Sequence, residues 1–98
     1  MTIEKKIEND GAVLAVSGRL DTVTAPALEA ALDEIFGNIK ALILDFSELE
    51  YISSAGLRVI LKAQKAMTGK GSMKLIGVND NIREVFEITG FTDILTIE

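Results

Sequence analysis

Between Leu42 and Leu61 the chain reads LILDFSELEYISSAGLRVIL, and the period of its apolar residues changes at Ser53 and Ser54. Upstream, Ala41 to Phe46 is apolar apart from Asp45, which suits a strand covered on both faces. Downstream, Leu57, Ile60 and Leu61 recur at helical spacing. A buried strand that passes through a short loop into an amphipathic helix confines the fold to layered α/β arrangements. The serine pair reads as an N-cap, with Ser54 opening the helix and carrying the cap. The free N–H groups and positive dipole end of that helix would lie beside the hydroxyls and partly solvate an anion attached there. A phosphate would bring about −1.5 to −2 charges at neutral pH.

The flanking segments supply the rest of the fold. Ile3–Glu8, the turn Asn9-Asp10-Gly11 and Ala12–Ser17 predict an antiparallel hairpin, with Asp-Gly providing the positive-φ residue. After Gly18-Arg19-Leu20-Asp21, Thr24 or Ala25 caps a helix with Pro26 in its first turn and Leu28, Ala31, Leu32 and Ile35 on one stripe; Gly37 ends it. The helix from Ser54 runs to about Met67 and closes at Gly69, and a strand follows over Met73–Val78. Asn79 or Asp80 caps a third helix with Ile82, Val85, Phe86 and Thr89 on one side; Gly90 stops it, and Ile94–Ile97 is expected as a short edge strand. Alternating strands and helices imply right-handed crossovers. The fold class is therefore α/β: a single-layer mixed, mostly parallel sheet with an N-terminal antiparallel hairpin and flanking helices.

The composition narrows the function. The 98 residues are 48% hydrophobic without a compositional break, and 1–98 reads as a single domain. A formal net charge of −5 argues against nucleic acid or an anionic membrane as partner and points to protein. With no cysteine and no histidine, the commonest metal ligands and the commonest general base are missing, so neither metal nor cofactor is expected. MTIEKKIEND has no apolar signal core, and no apolar run approaches the roughly 18 residues of a membrane span, so a cytoplasmic protein is expected.

Asp21 follows the second strand, Asp45 lies near the end of the third and Ser54 opens the next helix. Sites in parallel sheets gather at the carboxyl ends of strands, so the three are expected on one rim. Each aspartate also has a structural reading, Asp21 as a turn residue and Asp45 as a carboxylate satisfied by loop N–H groups. Ser54-Ala55-Gly56 matches the second half of the G-x-S-x-G nucleophile elbow, but Ile52 stands at its leading glycine and no histidine base exists, which argues against a serine hydrolase. Thr68-Gly69-Lys70-Gly71-Ser72 falls after a helix and before a strand, the reverse of a phosphate loop, and reads as a helix stop. Arg58, Lys62 and Lys65 form a basic stripe, either a solvated face or a meeting surface for an acidic partner. Gly56 inside the helix costs about 1 kcal/mol relative to alanine, which marks a close approach to a partner or to neighbouring backbone, unless the glycine merely eases the turn.

Gly18-Arg19-Leu20-Asp21, Leu42-Ile43-Leu44-Asp45-Phe46 and Tyr51-Ile52-Ser53-Ser54-Ala55-Gly56-Leu57 together resemble the bacterial anti-sigma factor antagonists, the anti-anti-sigma members of the STAS domain family, over nearly the whole chain. The resemblance implies a STAS-like fold and a non-enzymatic protein, monomeric when free, that binds an anti-sigma factor with serine kinase activity and thereby releases sigma factor. It implies phosphorylation on the serine two positions before the glycine, Ser54, which abolishes binding, and a serine phosphatase that restores it. Family members often carry Asp before the acceptor and Ser after it, where this chain has Ser53 and Ala55; Ser53 is the second candidate acceptor. The switch and partner surface would comprise Asp21, Asp45, Ser53, Ala55, Gly56, Leu57 and Arg58. Two other readings remain open: a scaffold subunit of a signalling or transport assembly, and a small-molecule-binding domain using the strand-end rim.

Overall fold

The structure, a computed structural model, describes residues 1–98. Its elements are β1 (Thr2–Glu8), β2 (Gly11–Leu20), α1 (Ala25–Asp33), a 3-10 turn at Phe36–Asn38, β3 (Ala41–Asp45), β4 (Leu49–Ile52), α2 (Ser54–Met67), β5 (Ser72–Ile76), α3 (Asp80–Ile88) and a 3-10 turn at Phe91–Asp93. The sheet runs β1-β2-β3-β5, with β1 antiparallel to β2 and the other pairs parallel. This is the mixed, mostly parallel sheet with an entry hairpin that the sequence predicts. In the hairpin turn, however, Asn9 takes the left-handed conformation (φ 55°) rather than Gly11, because the two-residue loop falls one position earlier than the Asp-Gly pair implies.

β2 runs three residues beyond Ser17 and, on the edge away from β1, pairs through Gly11–Ala15 with β3 and through Gly18–Leu20 with β4. The register slips between Gly18 and Arg19, and Gly18 has a φ of 87°, so a bulge re-aims the last turn of the strand. β4 lies where a loop is expected between the central strand and the serine pair. Its burial runs Leu49 in, Glu50 and Tyr51 out, Ile52 in, a pattern without period two, so alternation does not reveal it. The hydrogen bonds that β2 offers beyond its bulge create it instead.

Only one face of the sheet is covered. Leu42, Leu44 and Phe46 are buried, whereas Ala41 is exposed and Ile43 and Asp45 are half-buried, so Ala41–Phe46 is not enclosed on both faces as expected. The same alternation runs through β2, where Ala12, Leu14 and Val16 point inward. The Lys5–Glu34 ion pair at 3.1 Å ties the inward side of β1 to the end of α1. The three helices lie on that side, closing a single cluster of 24 apolar residues with no buried charged or polar residue.

Three boundaries move. α1 ends at Asp33, and the chain then reaches buried Ile35 and a 3-10 turn containing Gly37, so Gly37 is not the helix stop. β5 ends at Ile76 because Gly77 turns the backbone left-handed (φ 69°) against Ser47. Ile94–Ile97 forms no strand: the last residues leave a single parallel bridge, Leu75 with Ile97, because a 3-10 turn takes up the preceding chain. Asn79 caps α3 by accepting the Ile82 N–H at 2.9 Å, and Gly90 (φ 80°) ends it. Thr89 lies outside the buried stripe, its hydroxyl donating to the Val85 carbonyl.

Candidate functional site

The first turn of α2 is seated on the carboxyl ends of β2 and β4. Leu20 and Ile52 are paired in the sheet, and the Ser53 N–H donates to the Leu20 carbonyl at 2.9 Å. Ser53, extended at φ −100° and ψ 177°, is the N-cap, and its Oγ accepts the Gly56 N–H at 3.3 Å. The cap therefore belongs to Ser53 and not to Ser54. One residue on, Ser54 is the first residue of the helix proper and is exposed, while Ser53 is half-buried. Ser53→Ala is expected to cost about 0.5–1 kcal/mol, the low end for a cap because the hydrogen bond is long, with Ser54→Ala close to neutral, as read by urea unfolding.

Gly56 and Leu57 face inward, Leu57 at 9% exposure. A Cβ on Gly56 would stand 2.8 Å from both Leu20 Cγ and Ile52 Cγ1. The close approach at Gly56 is thus to side chains of the protein's own core, not to a partner or to backbone. Ala55 is half-buried and Arg58 exposed, and both line a groove between α1 and α2 with Thr22, Pro26, Glu29 and Lys62.

Asp21 stands beside this turn. Its Oδ1 accepts the N–H groups of Val23 (3.0 Å) and Thr24 (3.1 Å), and the Thr24 hydroxyl lies 3.1 Å from Oδ1 and 2.7 Å from the Arg19 carbonyl. The Thr24 N–H is the main reason the Asp21 carboxyl sits below its usual range, helped by the Thr24 hydroxyl, the Val23 N–H and the Arg19 charge against some desolvation. A depressed pKa in the folded state means stability that is present above the unfolded value, about 3.9, and lost as pH falls through the folded value. The stability difference between the protein and Asp21→Asn is therefore expected at pH 7 and should close below about pH 4 in thermal melts.

Asp45 does not join this rim. It is in register with Ala15, five residues before Leu20 and so roughly 16 Å away along β2 at about 3.3 Å per residue. Its carboxylate accepts the Ser47 N–H (2.9 Å) and hydroxyl (2.5 Å) and faces the open side of the sheet with Glu4 and Glu48. Of the basic stripe, Lys62 is committed to α1, bridging Glu29 at 2.8 Å and Asp33 at 3.3 Å; the Glu29 hydrogen bond first, then that to Asp33, raises its pKa.

Three residues that the sequence does not assign to the site, Val23, Arg19 and Tyr51, complete the surface. Val23 is 85% exposed at the tip of the turn that Asp21 holds, and Tyr51 is 40% exposed with the Arg19 guanidinium 4.2 Å from its ring centroid. An apolar side chain within Asp21-Thr22-Val23-Thr24 was visible in sequence; the Arg19–Tyr51 stack depends on the pairing of β2 with β4.

The sequence model of the STAS domain family matches residues 2–98, and the chain belongs to that family. It is 34% identical over 97 residues to an anti-sigma-B factor antagonist of Listeria monocytogenes, covering 96% of this chain and 84% of that one. The fold is similar to the crystal structure of an anti-sigma factor antagonist from Mycobacterium paratuberculosis, with a TM-score of 0.89 at 26% identity over 98% of this chain and 83% of that one. It is also similar to the phosphorylated form of the Bacillus cell fate determinant SpoIIAA, with a TM-score of 0.79 at 18% identity over 99% and 91%. The kinship thus lies with the anti-sigma factor antagonists of the family. No helix is long and apolar enough to cross a membrane.

Proposed function

We propose that this protein is a cytoplasmic anti-sigma factor antagonist, monomeric when free, which binds an anti-sigma factor with serine kinase activity and is released from it by phosphorylation of Ser54. The exposure of Ser54 on the first turn of α2 carries the reading, because a kinase must reach the hydroxyl and a partner resting on that turn must meet the phosphate. The protein needs no catalytic group for this role. The partner's base takes the Ser54 hydroxyl proton, the γ-phosphoryl of its nucleotide passes to Oγ, and the bond to the leaving nucleoside diphosphate breaks. A serine phosphatase reverses the modification by hydrolysis. Asp21 and Ser53 hold the rim, Ala55, Arg58, Val23 and Tyr51 offer contact surface, and Gly56 and Leu57 seat the turn. Asp45 has no part in it.

The test is mapping of the phosphate after reaction with the anti-sigma kinase. Ser54 is expected to be modified and Ser54→Ala to take up none, whereas Ser53, half-buried with its oxygen engaged by the Gly56 N–H, is the poorer acceptor. Phosphate on Ser53 alone would reassign the acceptor, and none on either serine would remove the switch.

A further inference from the structure

Arg58 follows Ser54 by four residues on α2, so the two share one face of the helix one turn apart. Side chains on a helix lean toward its N-terminus, which puts the turn that begins at Ser54 within reach of Arg58. The order is the favourable one for an ion pair, with the anionic position N-terminal to the cationic. Arg58 makes no ion pair, whereas Lys62 is held by Glu29 and Asp33, and Arg19 lies 3.9 Å from Asp21 and over Tyr51. Lys62, four residues further on, repels Arg58 from the C-terminal side and occupies Glu29, the acidic residue of the shared groove. The exposed guanidinium is therefore left with an open position on the Ser54 side.

We infer that Arg58 is the intramolecular counter-ion of a phosphate on Ser54, so that phosphorylation adds negative charge to the docking surface and at the same time withdraws a cation from it. The inference rests on Ser54 as the phosphoacceptor. A planar guanidinium matches two phosphate oxygens at once, and the serine linkage keeps the group within one turn of it. An acidic partner surface that meets Arg58 in the unmodified protein then loses that contact in the same event that introduces the dianion. Aspartate at position 54, shorter and singly charged, engages Arg58 less completely, which adds a reason for it to mimic phosphate only in part.

The experiment uses the full chain with phosphoserine installed at position 54 by codon reassignment, which needs no kinase. The second ionisation of the phosphate, near pH 6 when unperturbed, is followed by phosphorus NMR against pH. Arg58→Gln is expected to raise its pKa by about 0.5 unit. Lys65→Gln removes the same charge about 10 Å further along the helix at about 1.5 Å per residue and is expected to leave the pKa within about 0.1 unit. Both positions are exposed, and matching melting temperatures confirm that both variants fold. An unchanged pKa in Arg58→Gln, or equal shifts in the two variants, would overturn the pairing. Finding no phosphate on Ser54 after the kinase reaction would defeat the switch instead, and the titration separates the two failures.

Discussion

Phosphorylated on Ser54, the protein is expected to bind its anti-sigma partner about 30- to 4000-fold more weakly than the unmodified form, a loss of about 2–5 kcal/mol. The magnitude is the cost of closing a dianion against a partner that brings no compensating charge, the single guanidinium of Arg58 offsetting the phosphate only in part. No refolding is required, because the exposed hydroxyl of Ser54 is not the α2 cap and the bed beneath it is fixed by the Ser53 N–H bond to Leu20 and by the buried Leu20 and Ile52 side chains. Ser54→Ala should keep the affinity of the unmodified protein and resist the kinase. Ser54→Asp should fall between, since one carboxylate supplies a single charge and fewer acceptor oxygens than a phosphate. Calorimetry on the unmodified, phosphorylated, alanine and aspartate proteins decides the matter; equal affinities for the first two would sink the switch.

The main outline of this fold is legible because most of its elements announce themselves through period and punctuation. Asn79, Gly90 and the stripe containing Ile82 and Phe86 define α3 from sequence, and the helix from Ser54 to Met67 is found within a residue of its prediction. What escapes is set by tertiary pairing. β4 exists because β2 continues past Gly18, and nothing in Leu49-Glu50-Tyr51-Ile52 alternates. The same pairing joins Asp21 to the start of α2 and brings Arg19 over Tyr51, so the sequence names Asp21, the two serines and the run from Ala55 to Arg58 but not the stack beside them. Asp45 misled for a geometric reason: the carboxyl ends of β3 and β4 are different places along β2, and a chain read without β4 merges them. The cap moved by one residue because two adjacent serines satisfy the same local rule, and only the backbone at Ser53 distinguishes them.

Leu20→Ala is expected to destabilise the protein by about 2–5 kcal/mol, and Gly56→Ala introduced with it should recover part of that loss. Leu20 is fully buried, and its Cγ lies 2.8 Å from where a methyl on residue 56 would stand. Alone, Gly56→Ala gains about 1 kcal/mol of helix propensity but overpacks Leu20 and Ile52 at a cost of about 1–3 kcal/mol, for a net loss of up to about 2. With Leu20 cut back, the new methyl fills space that the leucine has vacated, and of the overpacking only the part against Ile52 remains. The double-mutant cycle should therefore show a favourable coupling of about 0.5–3 kcal/mol in urea unfolding. Additive losses, or a gain in stability from Gly56→Ala alone, would show that the glycine is not there to let α2 settle onto Leu20. The same cycle reads on function, because the depth at which the first turn sits decides how far Ser54 projects. The rate of Ser54 phosphorylation should drop in Gly56→Ala and rise again in the double variant, a pattern that loss of stability alone does not produce when Leu20→Ala, the least stable single variant, keeps the glycine.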